Sequence, residues 1–600
     1  MKLLKYILVL AIAFCAVTSM SNAQAYIGGG SSALFLELGQ AAAIEVGTAH
    51  AGAYCIYSHK SSNLNAGSTV TTQDNRLGPA ATTDGGDFWL VWGPTGGNCA
   101  NPDLVNPFYM YTSLDSVVGN RGYFEVDPGN GAGCVAGAGF CQQLVLAAAD
   151  LVCPGAGCPD SILNVNPPAA PYNNLANNAA PPAALIAAIH NKHWNWAGTD
   201  IRPEDAKFAT FRALSTCDAW IARQPFDLIV RYTQGLGYTA GTIFTDDFGA
   251  GKTLKLKNFN ISGNDPVTGN PVPGFDVLEV GAQPIIVAVA PDLSVAPTGI
   301  AKATDIPGFV AANFFNGTLG RASDLLGGAD NWAVTTLVRE PLSGTYNTFE
   351  YGAVNNSQFH VSQDGGNCTP GNPPGNPLHI VSANGVPLQG GTAQSFRRRV
   401  IGTGQMTTQL QAATATDQRI GYFFWGAANV ANLTKVRYLK YNGVDPIRPA
   451  YVDGVLPASN ATGDPCLGNI VTCPAGTITF AGLNSGAYPL WSALRIITPS
   501  PAPAALNALV TAAQTLNSSQ TDFVPLASLN VWRSHFYMNS INVNTAAMGT
   551  TLNPATPNDL CPGGLAEQGG DVGGAIILKK ANADFCSDYG NNTGLVNKTE

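Results

Sequence analysis

The sequence predicts an α/β protein, and three observations carry that prediction. Short apolar, β-branched runs recur along the chain, helix-like segments stand between several of them, and six hundred residues exceed what one ordinary core holds. In chain order, "YIGGGSSALFLELG" (26–39) reads as a short strand, three glycines, and then Ser31-Ser32 opening an apolar-periodic helix. "FWLVW" (88–92), "PIIVAVA" (284–290), "WAVTTLV" (332–338) and "IGYFFW" (420–425) are continuous apolar runs of strand length. Such runs fit strands covered on both faces. Helices are predicted at "DIPGFVAANFF" (305–315) and "APAALNALVTAAQTL" (502–516). "TLKLKNFNISG" (253–263) alternates with period two and is predicted as a surface hairpin. Residues 127–184 and 361–377, rich in Pro, Gly and Asn, read as long exposed loops. There is no internal repeat of constant period.

The first residues have the plan of an export signal. Lys2 and Lys5 precede an apolar stretch from Ile7 to Val17, too short to span a bilayer, and Ala23-Gln24-Ala25 supplies a small-x-small cleavage pattern. Cleavage is expected at Ala25/Tyr26, and Cys15 follows Phe14 rather than the small residue a lipid-anchored cysteine needs. No later segment has the apolar length of a membrane-spanning helix. The mature protein is expected to be periplasmic or extracellular. Its formal charge of −9, or −11 without Lys2 and Lys5, argues against nucleic acid and anionic membranes as partners. Arg397-Arg398-Arg399 is an isolated basic run, read as a solvated face.

Twelve cysteines remain after Cys15, an even number in an exported chain, so disulfides are expected. Spacing favours Cys134–Cys141, Cys153–Cys158, Cys466–Cys473 and Cys561–Cys586. The pairing of Cys55, Cys99, Cys217 and Cys368 is open at this level. No pair has CxxC spacing, and His190 and His193, one helical turn apart, have no visible carboxylate or cysteine companion. No metal and no cofactor is predicted.

The chemistry-bearing feature is a set of polar turns in a charge-poor chain. "TLVREPLSGTYNTFEYGAV" (336–354) places Arg339 at the end of an apolar run and Ser343-Gly344-Thr345 at a helix start. Such a turn offers free backbone N–H groups, a glycine that lets an anion approach, two hydroxyls and a planar two-toothed cation. Alone, the same residues make an ordinary N-cap beside a surface ion pair. They do not stand alone. Ser31-Ser32 follow the glycine run, "LDSVVGNRGYF" (114–124) carries Ser116, Gly119 and Arg121, and "WAGTDIRPEDA" (196–206) carries Thr199-Asp200.

With these motifs in this order, the sequence resembles the periplasmic phosphate-binding proteins of ABC transporters, in the type II, PBP-like solute-binding superfamily. "FVAANFFNGTLGRASDL", "RIGYFFWGAANV", "GAYPLWSALRII" and "FVPLASLNVWRSHF" (523–536) extend the resemblance over most of the chain outside 127–184. The resemblance implies a two-lobed type II fold with long disulfide-stapled loop insertions. Its boundaries would be a signal peptide at 1–25, lobe I at 26–285 with the insertion about 127–184, lobe II at 286–487, and a lobe I return segment with C-terminal extension at 488–600. It implies an oxyanion in the interlobe cleft. Ser31 or Ser32, Ser116 and Arg121 would serve from the first lobe, with Asp200 as the facing carboxylate. Arg339, Ser343, Gly344 and Thr345 would serve from the second. The family carries an acid two residues after its arginine; here Pro341 stands there and Glu340 one step earlier, on the other face of an extended segment.

Other motifs are weaker. "FGAGKT" (248–253) lacks the first glycine of a P-loop, with Asp246 in its place. There is no G-x-S-x-G and no HExxH, and nothing singles out His360 or His535 as a partner for Ser343, so no enzyme is expected. Three readings follow. The first is capture of a small oxyanion, phosphate foremost, for an ABC transporter. The second is a surface-associated structural or adhesive role on the same fold, which suits the low charge and long insertions. The third is a secreted phosphate-ester hydrolase reusing the anion site.

Overall fold

The computed structural model describes residues 25–59, 88–114, 171–175, 180–189, 194–201, 275–291, 299–315, 319–328, 332–339, 343–353, 380–387, 394–400, 402–426, 433–450, 477–516 and 523–533, with single positions and short strands besides. The signal segment, the hairpin at 253–263, the loop at 361–377, the four spacing-based cysteine pairs, Cys217, Cys368, His190, His193, Arg121, Glu340 and Pro341 lie outside the described residues.

The architecture is mixed α/β around one large mixed sheet of 14 strands. Its principal elements are β1 (Ala25–Ser31), α1 (Phe35–Ala49), β2 (Ala53–His59), β3 (Phe88–Trp92), β4 (Phe108–Leu114), β5 (Trp196–Thr199) and β6 (Phe275–Ala290). Then follow α2 (Gly308–Phe315), β7 (Val334–Arg339), α3 (Gly344–Gly352), β8 (Ile380–Pro387), β9 (Gln394–Val400), α4 (Gly402–Gln411), β10 (Gln418–Phe424), β11 (Trp491–Pro499) and α5 (Ala504–Ala513). The strand order across the sheet is β8-β9-β7-β10-β6-β11-β5-β1-β4-β3-β2. The pair Asn173–Asn174 adds to the β2 edge. That pair and the helix Ala183–Ile189 correct the reading of 127–184 as loop to its end: the last part returns to the sheet.

The sheet has two halves, and β6 belongs to both. From Phe275 to Pro284 it pairs antiparallel with β11; from Ile285 to Ala290 it pairs antiparallel with β10. On the far side of β11, β5 pairs antiparallel and then β1 and β4 run parallel. Beyond β10, β7 and β9 run parallel. Four apolar clusters cover the four faces so formed. In the first half, α1 and α5 pack on Trp89, Tyr109, Tyr111 and Trp196, while Ile27, Phe88, Trp92 and Trp194 fill the other face. In the second, Phe314, Phe349 and Tyr422 lie on one face and Met406, Phe423, Trp425 and Trp491 on the other. Every residue of β3, β7 and β10 is buried, which is why their central residues read as apolar or small-polar runs, with Arg339 and Gln418-Arg419 at the ends.

One sequence reading changes here. The three glycines are not a turn. They continue β1, pairing with Tyr111, Thr112 and Ser113 on one side and Trp196, Ala197 and Gly198 on the other. Gly30 has φ +138°, and a Cβ there would overlap the carbonyl of Gly198, so only glycine fits. The backbone of Arg397-Arg398-Arg399 runs within β9, paired to β7 and β8. Of the cysteines left open, Cys55 and Cys99 form a disulfide with Cα atoms 5.8 Å apart.

Candidate functional site

Strand ends and helix starts from both halves meet beside the place where β6 changes partners. From the first half, β5 ends at Thr199 and hands the chain to Asp200, which is 2% exposed. The Asp200 backbone N–H donates to Ser116 Oγ at 3.3 Å, and Asn120 Nδ2 donates to Thr199 Oγ1 at 3.2 Å. Ser31 ends β1, its Oγ accepting from the Ala33 N–H at 3.2 Å and its carbonyl accepting from Tyr111 Oη at 2.6 Å.

From the second half, β7 ends at Arg339, one of the largest fully buried side chains. Its Nη1 donates to Thr403 Oγ1 at 2.8 Å, and its backbone N–H donates to Tyr422 Oη at 3.3 Å. Ser343 caps α3, accepting the Tyr346 N–H at 3.3 Å. Among the described residues, no acceptor meets the N–H groups of Gly344 or Thr345, the next free donors of the helix start. Gly344 touches the first half directly: a Cβ there would overlap Asp200 Oδ1 and Ser116 Oγ. The glycine is what lets the α3 N-terminus close on the carboxylate.

The electrostatics follow from burial. Desolvation pushes the Asp200 carboxyl up to about 6, against the charge of Arg339 and the hydroxyls of Ser31 and Ser492, which all favour the ionised form. Asp200 Oδ1 is buried with no hydrogen-bond partner among the described residues. An acceptor oxygen without a donor therefore faces free backbone donors, hydroxyls and a buried guanidinium. That set can hold an oxyanion, best one that brings a proton for the carboxylate.

Among solved structures, the chain is similar to a phosphate-binding protein from Stenotrophomonas maltophilia, at 13% identity over 82% of this chain and 86% of that one, TM-score 0.29. It is similar to a DING protein at 14% identity over 73% and 98%, TM-score 0.26. It is similar to PstS from Borrelia burgdorferi at 16% identity over 40% and 67%, TM-score 0.23. No family model matches the chain, and no curated protein matches it. The likeness is distant.

Of the residues expected from sequence, Ser31, Ser116, Asp200, Arg339, Ser343, Gly344 and Thr345 are all buried and gather in this region. Ser32 opens the short 3-10 turn after β1 and is partly exposed, and among the described residues no contact ties it to the cluster. Sequence reasoning missed Thr403, which holds Arg339, and Ser492, whose Oγ donates to Thr348 Oγ1 at 3.3 Å. Both left a signal. Thr403 stands in "GTG" at a strand-to-helix turn, another hydroxyl beside glycine like Ser343-Gly344-Thr345, and Ser492 is a lone hydroxyl in the run "PLWSALRII".

Proposed function

We propose that the protein is an exported oxyanion-binding protein that takes phosphate into the cleft between two lobes and passes it to an ABC-type membrane transporter. The lobes are residues 26–285 with 488–600, and residues 286–487. The exchange of β6 from β11 to β10 after Pro284, with two apolar clusters on each side, supports that division. Among the described residues, no helix is long and apolar enough to cross a membrane.

One observation carries the reading: Gly344, at the start of a second-half helix, lies in contact with Asp200 and Ser116 of the first half. In this reading the Gly344 and Thr345 N–H groups and the hydroxyls of Ser116, Ser343 and Thr345 donate to the anion, Arg339 neutralises it, and Ser31 holds Asp200 beside it. Arg121 would add a first-lobe contact. Asp200 selects. Above about pH 6 it is ionised with its Oδ1 still open, so that oxygen repels an anion with no proton and accepts the proton of a protonated phosphate. That places the proton acceptor at Asp200 in a chain whose residue 341 is proline. Among the described residues the arrangement offers binding groups rather than an activated nucleophile, which favours capture over hydrolysis.

Isothermal titration of the mature protein with phosphate, with sulfate as competitor, tests this. Phosphate should bind and sulfate should not displace it, and Arg339→Ala should weaken phosphate by roughly 100-fold, the scale of removing one partner of a buried charged contact. Absence of heat from folded protein with either anion would instead favour a structural or adhesive role on the same fold.

A further inference from the structure

Gln283 lies in β6, one residue before the strand reaches Pro284 and changes partners. It is 1% exposed, and among the described residues neither its Oε1 nor its Nε2 meets a hydrogen-bond partner. Buried amides are almost always satisfied, so an amide open at both ends calls for something that meets it. Its position says what that is. Gln283 stands directly opposite Ser492 of β11, and residues paired across two strands share a face. Ser492 donates to Thr348 Oγ1 on α3 and lies beside Asp200. Thr348 is one turn beyond Gly344 and Thr345, on the side of α3 that meets the sheet. Asp200, just past the end of β5, with Ser492 of β11 and Gln283 of β6 thus forms a polar row beneath the α3 N-terminus.

We propose that Gln283 is a further ligand-reading residue of the anion site, its Nε2 donating to an oxygen of the bound oxyanion and its Oε1 accepting a proton that the oxyanion carries. The inference rests on the oxyanion reading above and adds a second proton acceptor to that site. Two acceptors, Asp200 Oδ1 and Gln283 Oε1, look onto the same ligand and each needs a proton from it, so the site takes the doubly protonated monoanions of phosphate and arsenate. Fully ionised ones such as sulfate leave both acceptors unmet.

The test is phosphate and sulfate affinity by titration calorimetry, on the full mature chain and on Gln283→Leu, Gln283→Glu and Arg339→Ala. Gln283→Leu should lower phosphate affinity by ten-fold or more while changing sulfate affinity little, so the preference for phosphate narrows. Gln283→Glu keeps the shape of the side chain and guards against a variant that fails to fold. It should bind phosphate with a steeper loss of affinity between pH 5 and 8 than the parent, as the introduced carboxyl ionises beside the anion. Equal losses for both anions in Gln283→Leu, or a pH profile unchanged in Gln283→Glu, would mean that the amide only fills space or holds a water, and would overturn the proposal. If Arg339→Ala abolishes phosphate binding while both Gln283 variants bind as the parent does, Gln283 fails and the oxyanion site stands. If the parent binds neither anion, both fall together.

Discussion

Asp200 shows how one side chain can link binding to stability. Its folded carboxyl holds a proton up to about pH 6 because burial outweighs Arg339 and the neighbouring hydroxyls, whereas its ordinary value is 3.8. Between those values the folded anion-free protein carries a proton that the unfolded chain has lost, so stability falls as pH rises through that window and is level on either side. The total is about 3 kcal/mol. Asp200→Asn has no such proton, and its unfolding free energy in denaturant should lack that fall between pH 4 and 6. The same slope in parent and variant would show that another group is responsible. At this scale the sequence was legible where residue type and turn chemistry coincide, as at Ser343-Gly344-Thr345 and Thr199-Asp200. It was silent at Gln283 and Ser492, whose meaning depends on a partner more than 200 residues away across the β6–β11 ladder.

At the scale of elements, the apolar runs read correctly as strands because burial on both faces leaves few polar positions to interrupt them. The first half of β6, "FDVLEVGAQ", did not read as strand, since Asp276 and Glu279 interrupt it. The structure supplies the reason for one of them. Glu279 lies opposite Arg495 of β11, with Oε1 and Nη2 3.9 Å apart and both side chains almost fully buried. The pair joins the two strands that connect the halves. Breaking such a pair from one side leaves a buried charge without its counterion, at a cost of about 3–5 kcal/mol, while replacing both by apolar residues is often close to neutral. Glu279→Gln should therefore lower the denaturation midpoint sharply, and Glu279→Leu with Arg495→Met should recover much of the loss. Additive losses in the double variant would argue against the coupling. The glycine run was misread for a related reason: a strand that must lie against tryptophan rings and a neighbouring carbonyl looks, in one dimension, like a flexible turn.

For the molecule as a whole, the Cys55–Cys99 disulfide closes a loop of 44 residues between β2 and the segment after β3, within the first half of the sheet. By the loop-entropy argument such a closure stabilises by roughly 4 kcal/mol at most. Cys55→Ala with Cys99→Ala should thus unfold at distinctly lower denaturant, and an unchanged midpoint would show that the unfolded chain is compact there without the bridge. Overall class and the gathering of polar turns were visible from sequence, but the strand order was not, because it is set by pairings distant along the chain. That order has a consequence for how the molecule comes into being. β11 is the keystone between β5 and β6, yet it is among the last elements of the sheet to be synthesised. Until Trp491–Pro499 has emerged and slipped into place, each half ends in a bare edge, and Gly344 has no fixed Asp200 to meet. The proposed anion cradle would therefore be completed by a strand that supplies only Ser492 to it, near the end of the chain's own assembly.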